Sequence, residues 1–309
     1  MKPLEISNLI VKYKTLRGWI TALDDVSLSI DERGRILALV GESGSGKSTL
    51  GLAIAGLLPS NARAEGSIRI NGREALGEPY SSKVAVIFQD ALASLNPVLA
   101  IGEQLAEIFI IHEKLDKRKA IEKAKMFLLE VGLPSEFLDK YPHELSGGQR
   151  QRALISMALA MNPELIIADE PTTALDVTVQ AKVLLVLKNL VKKAGIPMIY
   201  ITHDIALAMH IADAIAIMYA GQVVELSDKY DVFENPLHPY TKALLKSIPR
   251  IDSDVEELYV IEGEPPSPDN FPKGCRFHPR CPLAFDKCKS KMPEVASLNG
   301  RLVRCHLYE

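Results

Sequence analysis

Residues 35–58 constrain this chain more than any other stretch. Arg35 to Val40 (RILALV) is a compact apolar run of the kind that forms a buried parallel strand. It leads straight into Gly41 to Ser48 (GESGSGKS), which fits the pattern G-x-x-x-x-G-K-[ST], and then into a helix-like stretch from Ser48 to Leu58. A glycine-rich turn between a buried strand and a helix start lets backbone N–H groups face phosphate oxygens, with the helix dipole favouring the anion. Ser43, Gly44, Ser45, Gly46, Lys47, Ser48 and Thr49 are therefore the candidate phosphate-binding residues. Lys47 is placed to reach the β- and γ-phosphates, and the Ser48 hydroxyl to reach Mg²⁺.

A second apolar run, Leu165 to Ala168, ends in Asp169 and Glu170. An apolar strand ending in two acids says little alone. Beside the glycine loop it completes a nucleotide site: Asp169 is placed to hold Mg²⁺ through water, and Glu170 to orient and polarise an attacking water. A third motif, Leu145 to Gln149 (LSGGQ), closes a long helical segment and opens another helix. Ser146, Gly147 and Gly148 make a second anion-binding helix start. One chain cannot easily offer both helix starts to the same phosphate, so a second subunit is expected to bring one of them.

Around these motifs runs strand–helix alternation. Short strands are expected at Ile6 to Val11, Val26 to Ile30, Ser67 to Ile70, Val84 to Phe88, Met198 to Thr202 and Ile215 to Tyr219, with helices at Gln180 to Lys192 and Ile205 to Ala212. Between about Leu92 and Met161 apolar residues recur at helical spacing, as in Ile101, Leu105, Ile108 and Phe109, which reads as an inserted helical segment. Beyond Asn235 prolines crowd the sequence, from Pro236 and Pro249 to Pro293, so long regular elements are excluded there. The boundary is placed near 225–240, giving an ATPase domain over 1–235 and an extension over 236–309.

Bulk properties narrow the class. With 309 residues the chain suits one large domain and an appendage. A net charge of -3 argues against a general nucleic-acid binder. The N-terminus lacks the apolar core of a signal peptide, and no apolar run reaches the roughly 18 residues a membrane span needs. All four cysteines fall between Cys275 and Cys305, spaced Cys275-x5-Cys281-x6-Cys288-x16-Cys305. Such clustering suggests a four-thiolate metal site, but the spacing names no metal: it is neither a C-x2-C zinc knuckle nor a usual ferredoxin run. His278 and His306 stand beside cysteines and are read as bystanders.

Taken in order, the motifs resemble the ABC ATPase family over residues 1 to about 230. LSGGQ is that family's signature. Gln89 matches its Q-loop glutamine, Ala174, Leu175 and Asp176 its D-loop, His203 its switch histidine, and Tyr13 the aromatic that stacks on adenine, with Trp19 as a second candidate. The resemblance implies an α/β fold: a P-loop NTPase (RecA-like) core with an N-terminal antiparallel β subdomain, an inserted α-helical subdomain and a small irregular C-terminal metal-bound extension. It implies ATP hydrolysis in a head-to-tail dimer, with nucleotide between the P-loop of one subunit and Ser146, Gly147, Gly148 and Gln149 of the other. Mg²⁺ is then held by Ser48, Gln89 and Asp169, and Glu170, His203 and Gln89 act on the γ-phosphate.

Asn235 to Thr241 (NPLHPYT), with Phe88 to Asp90 and Ser94 to Pro97, further resembles the oligopeptide and dipeptide branch of ABC importers, which also handles nickel and oligosaccharides. That resemblance implies oligopeptide or dipeptide uptake with two transmembrane permease subunits, a second and different ATPase subunit and an extracellular solute-binding protein, and a place on the cytoplasmic side of the cell membrane. It favours a [4Fe–4S] cluster at Cys275, Cys281, Cys288 and Cys305, with Zn²⁺ as the alternative, as a staple for a proline-rich segment with little core. A nucleic-acid-acting ABC ATPase, which usually carries two cassettes or a long coiled-coil insert, fits the single acidic cassette less well.

Overall fold

The computed structural model describes residues 1–78, 83–173, 175–248 and 260–309. Ala174 and Pro249, both singled out above, lie outside the described residues. The chain divides into two compact units, one of Met1–Asp31, Ile36–Pro79 and Tyr200–Glu309, the other of Glu32–Arg35 and Tyr80–Ile199.

In the first unit, Leu4–Thr15 pairs antiparallel with Gly18–Ile30 on one side and Ala62–Ile70 on the other. Arg73–Glu74 adds a short edge strand beyond Ala62–Ile70. This is the antiparallel β subdomain expected at the N-terminus. Leu4, Ile6, Leu9 and Val11 are buried along one strand and Leu23, Val26, Leu28 and Ile30 along its partner, each cross-strand pair adding packing to the ladder. The phosphate loop follows Ile36–Val40, which is buried at every position and lies parallel to Ala214–Tyr219. Ala214–Tyr219 turns back through Ala220 and Gly221, both at positive φ, into Gln222–Asp228.

The C-terminal residues are less irregular than the proline content suggested. Val295–Leu298 and Arg301–Arg304 form a hairpin, and Arg301–Arg304 pairs antiparallel with Gln222–Asp228. The unit's sheet therefore runs in the order Val295–Leu298, Arg301–Arg304, Gln222–Asp228, Ala214–Tyr219, Ile36–Val40. The hairpin turns on Asn299 and Gly300, at φ 53° and 82°, the Asn-Gly pair that a tight two-residue turn favours. That signal was present in the sequence and outweighs the nearby prolines. Pro239 likewise opens a helix, Pro239–Lys246, at its first turn, where a missing N–H costs nothing.

In the second unit, Val84–Ile87 lies parallel to Leu165–Asp169. Helices Ile101–Glu113, Lys117–Glu130 and Gly147–Ala160 make up most of the inserted helical segment. The first two meet through Phe109 and Phe127, whose rings are 5.2 Å apart. Gly102 is required here, because a Cβ would come within 2.7 Å of the Leu138 carbonyl oxygen. Helix Val177–Ala194 buries Val183, Leu184, Leu187 and Val191 along one stripe and stops at left-handed Gly195.

Candidate functional site

In the first unit the phosphate loop is built on close approach. A Cβ at Gly41 would lie 2.2 Å from the Met218 carbonyl oxygen, so only glycine lets the loop leave its strand there. Gly46 sits at φ 102°, with the Ala22 carbonyl oxygen 2.9 Å from a would-be Cβ. It caps helix Lys47–Ala55, which stops at left-handed Gly56, short of the Leu58 expected from the sequence. Buried Lys47 donates from Nζ to the Gly41 and Glu42 carbonyl oxygens, at 2.8 and 2.9 Å, and to Ser45 Oγ at 3.4 Å. Ser43, Gly44 and Ser48 are exposed at the loop and the first helical turn. Tyr13 donates from its hydroxyl to Thr49 Oγ1 at 3.4 Å, which brings two of the candidate residues together. Trp19 is taken up by the Arg63 guanidinium, stacked 4.7 Å from its ring. Exposed His203 occupies the link after strand Met198–Thr202, just before Asp204, which caps helix Ile205–Ile211 through Ala206 and Leu207.

In the second unit, Asp169 ends its strand and Glu170 follows at φ 46°, a left-handed conformation that is costly for a residue with a Cβ. Gln89 is exposed just after Val84–Ile87, and Asp90 beside it caps the next turn by accepting from Leu92 and Ala93. Ser146 and Gln149 form a reciprocal capping box: Ser146 N–H donates to Gln149 Oε1 at 2.8 Å, and Gln149 N–H to Ser146 Oγ at 3.4 Å. The glycine pair between them is closely packed by neighbouring side chains. A Cβ on Gly147 would meet Leu175 at 2.8 Å, and one on Gly148 would meet Val179 at 2.4 Å. Asp176 caps helix Val177–Ala194 by accepting from Val179 N–H. The signature and the stretch from Leu175 to Val179 are thus packed together within this unit.

The four cysteines are free thiols and line one small cavity, with His238 and Phe277. Among the described residues, however, no three or more His, Cys, Asp or Glu side chains are grouped as a ready metal cage, so the expected metal-bound extension is not carried by ligand geometry. The donor set itself, four soft sulfurs on one cavity, fits a thiolate-bound metal. Burial pushes the Cys275 thiol up to about 11, and also raises Cys281 and Cys305; coordination would reverse this by replacing the proton. His306 is engaged at both ring nitrogens, by Lys291 O and Glu309 Oε2 at 2.7 Å each, and His278 Nδ1 meets Cys275 O at 2.8 Å. Those contacts occupy both ring nitrogens of His306 and the Nδ1 of His278.

Sequence reasoning missed the residues that tie this segment down. Glu225, fully buried, accepts from the N–H groups of Leu237 and His238 at 2.9 and 2.8 Å and pairs with Arg301. Arg276, Arg280 and Arg304, each next to a cysteine, pair with Asp24, Glu42 and Asp25. No spacing rule points to these partners, which lie hundreds of positions away.

Comparison with known proteins agrees with this geometry. Residues 23–173 match the family model described as ABC transporter, and residues 224–288 the one described as oligopeptide/dipeptide transporter, C-terminal region. The chain is 45% identical to the oligopeptide transport ATP-binding protein AppD of Bacillus subtilis, over 99% of this chain and 97% of that protein. It is 43% identical to OppD of Salmonella typhimurium, over 98% of this chain and 92% of that one. Among solved structures it resembles a dimeric ATP-binding cassette in a post-hydrolysis state bound to ADP and phosphate (TM-score 0.63, 31% identity, 73% of this chain and 98% of that one). It also resembles cbiO1 of Clostridium perfringens, part of an ABC transporter complex (TM-score 0.66, 27% identity, 76% and 91%).

Proposed function

We propose that this chain, which belongs to the family of ABC transporter ATP-binding subunits, powers the uptake of oligopeptides or dipeptides. It is an ATP-hydrolysing subunit of a multi-subunit importer; the solute is the step proposed here. One observation carries that step: the likeness to oligopeptide transport ATP-binding proteins runs the whole length of the chain, C-terminal region included. Among the described residues, no helix is long and apolar enough to cross a membrane. In our reading the ATPase domain of 1–235 and its 236–309 extension work on the cytoplasmic face of a cell membrane. They act with two permease subunits, a second and different ATPase subunit and an extracellular solute-binding protein.

For the reaction, Tyr13 stacks on adenine, and the loop N–H groups and Lys47 hold the phosphates. Ser48, Gln89 and Asp169, all oxygen donors suited to a hard cation, would hold Mg²⁺, which would neutralise charge developing on the phosphates. Glu170 takes a proton from water as its oxygen attacks the γ-phosphorus, the bond to the β-phosphate oxygen breaks, and ADP and phosphate leave. His203 stabilises the departing γ-phosphate. Ser146, Gly147, Gly148 and Gln149, with Asp176 beside them, serve the nucleotide on the partner ATPase subunit. Loss of the γ-phosphate removes the charge bridging the two subunits, which lets them part. In a reconstituted assembly with binding protein, added peptide should raise ATP turnover several-fold. Stimulation by another solute but by no peptide would overturn the assignment of cargo and leave the ATPase standing.

The finer reading of the extension is that Cys275, Cys281, Cys288 and Cys305 hold a [4Fe–4S] cluster, which would cross-link a proline-rich segment with little core of its own. Protein purified without air should then carry about four irons per chain. Zinc in place of iron would overturn that choice.

A further inference from the structure

One residue of the phosphate loop has each of its polar groups fixed, and the C-terminal extension holds two of them. The carbonyl oxygen of Glu42 accepts from Lys47 Nζ at 2.9 Å and from Ser45 N–H at 3.2 Å, so it sets both the turn of the loop and the ammonium group behind it. The Glu42 N–H donates to the hydroxyl of Tyr240 at 3.0 Å. Its carboxylate receives both arms of Arg280, Nη1 at 2.7 Å and Nη2 at 3.1 Å. Arg280 also reaches the Tyr219 hydroxyl at 3.3 Å and the carbonyl of Glu262 at 3.0 Å.

The holders are themselves rigid. The Arg280 side chain is 5% exposed and that of Glu42 26%, a bidentate charged pair largely out of water, where such bonds are strongest and most directional. Tyr240 is fully buried, its ring 4.7 Å from Tyr219 and 5.3 Å from Phe277. Phe277 and Arg280 both lie between Cys275 and Cys281. Arg276 reinforces the same region, donating to the Ala220 carbonyl and to Asp24, while Gly221 N–H donates to the Ser45 carbonyl oxygen at 2.9 Å.

We propose that Arg280 and Tyr240 are positioning residues of the nucleotide site, fixing Glu42 so that its carbonyl holds Lys47 where the phosphates of ATP will meet it. The extension is then a working part of ATP binding and not only a staple. This rests on the reading of the loop as the ATP site, and it goes beyond that reading by assigning a task to residues outside the ATPase motifs. Arg280 touches neither ATP nor the reacting atoms; it acts through Glu42. Losing it relaxes the loop in the free protein, so binding suffers and chemistry does not.

The test is the affinity of a non-hydrolysable ATP analogue for the chain, with KM and kcat of ATP hydrolysis in the assembly with its partner ATPase and permease subunits, both purified without air. Arg280→Gln and Glu42→Gln should each weaken binding about tenfold, raising KM and leaving kcat within about twofold. The double variant should be no worse than either single one, because both cut the same tie. Tyr240→Phe, which keeps the ring packing, should weaken binding about threefold. Arg304→Gln loosens the same extension from Asp25 and should leave KM unchanged. Wild-type affinity in Arg280→Gln and Tyr240→Phe would overturn the proposal, as would an equal loss in Arg304→Gln, which would mean general loosening. Should Arg280→Gln fail to fold, Glu42→Gln and Tyr240→Phe decide alone. Failure of the wild-type chain to bind the analogue would instead strike the ATP-site reading beneath it.

Discussion

Single residues in this chain carry constraints that their chemistry alone would not suggest. The carboxylate of Glu170 marks it in the sequence, and its backbone at φ 46° is also unusual. Left-handed backbone at a residue with a Cβ costs on the order of 1–3 kcal/mol and is tolerated where it aims a side chain. Glu170→Gln keeps the shape and removes the base. It should bind ATP, lose at least about a hundredfold in turnover, and accumulate as a nucleotide-bridged dimer on size exclusion; normal turnover would remove Glu170 from its role. Gly148 reads as an anion binder, and the position is also tightly packed, since a Cβ would lie 2.4 Å from a Val179 methyl that would have to move. Gly148→Ala should therefore cost about 1–3 kcal/mol in chemical denaturation, through overpacking and independently of nucleotide. An unchanged midpoint would show that helix Val177–Ala194 yields freely.

Elements begin and end where the capping chemistry tells them to. Asp176, Asp204 and Ser146 start their helices with side-chain acceptors, and Gly56 and Gly195 stop theirs in left-handed conformation. Helix Pro239–Lys246 is capped less commonly, by the imidazole of His238, whose Nδ1 accepts from Tyr240 N–H at 3.0 Å. Burial pulls the His238 pKa down from 6.5 to about 3. An unfolded chain takes up this proton below about pH 6.5 and the folded one does not, so the stability is whole above that pH and drains as pH falls towards 3. The slope is on the order of 1 kcal/mol per pH unit. His238→Asn keeps a capping acceptor and removes the titration. Its denaturation midpoint should fall less steeply than wild type between about pH 6 and 4; parallel curves would assign the acid sensitivity elsewhere.

At the scale of the molecule, the C-terminal extension is joined to the rest of the first unit by sheet, by buried charge and by aromatic packing. Arg301–Arg304 extends the ladder beside Gln222–Asp228, and from that ladder the Glu225 carboxylate holds Leu237, His238 and Arg301. Removing that carboxylate takes the counter-charge from the Arg301 guanidinium, which among the described residues keeps only the Asn235 carbonyl oxygen, and leaves two backbone N–H groups without their acceptor. Glu225→Ala should cost about 3 kcal/mol or more in chemical denaturation, and the extension should become the first site of proteolytic nicking. Resistance equal to wild type would mean that the hairpin alone secures it.

The nucleotide motifs, the order of strands and helices and the family were legible in the sequence because each depends on neighbours in the chain: a glycine beside a strand end, an acid after an apolar run, a helix start with its cap. The Asn299–Gly300 hairpin was legible by the same local rule and was obscured by the surrounding prolines. What sequence could not provide are pairings between distant positions. Arg280 with Glu42, Arg304 with Asp25 and Arg301 with Glu225 are set by which surfaces the folded backbone brings into register, and each such contact satisfies a charge that burial would otherwise leave unpaired. Sequence determined that this chain binds and hydrolyses ATP; only the tertiary structure decided that its cysteine-bearing extension would grip the loop that does so.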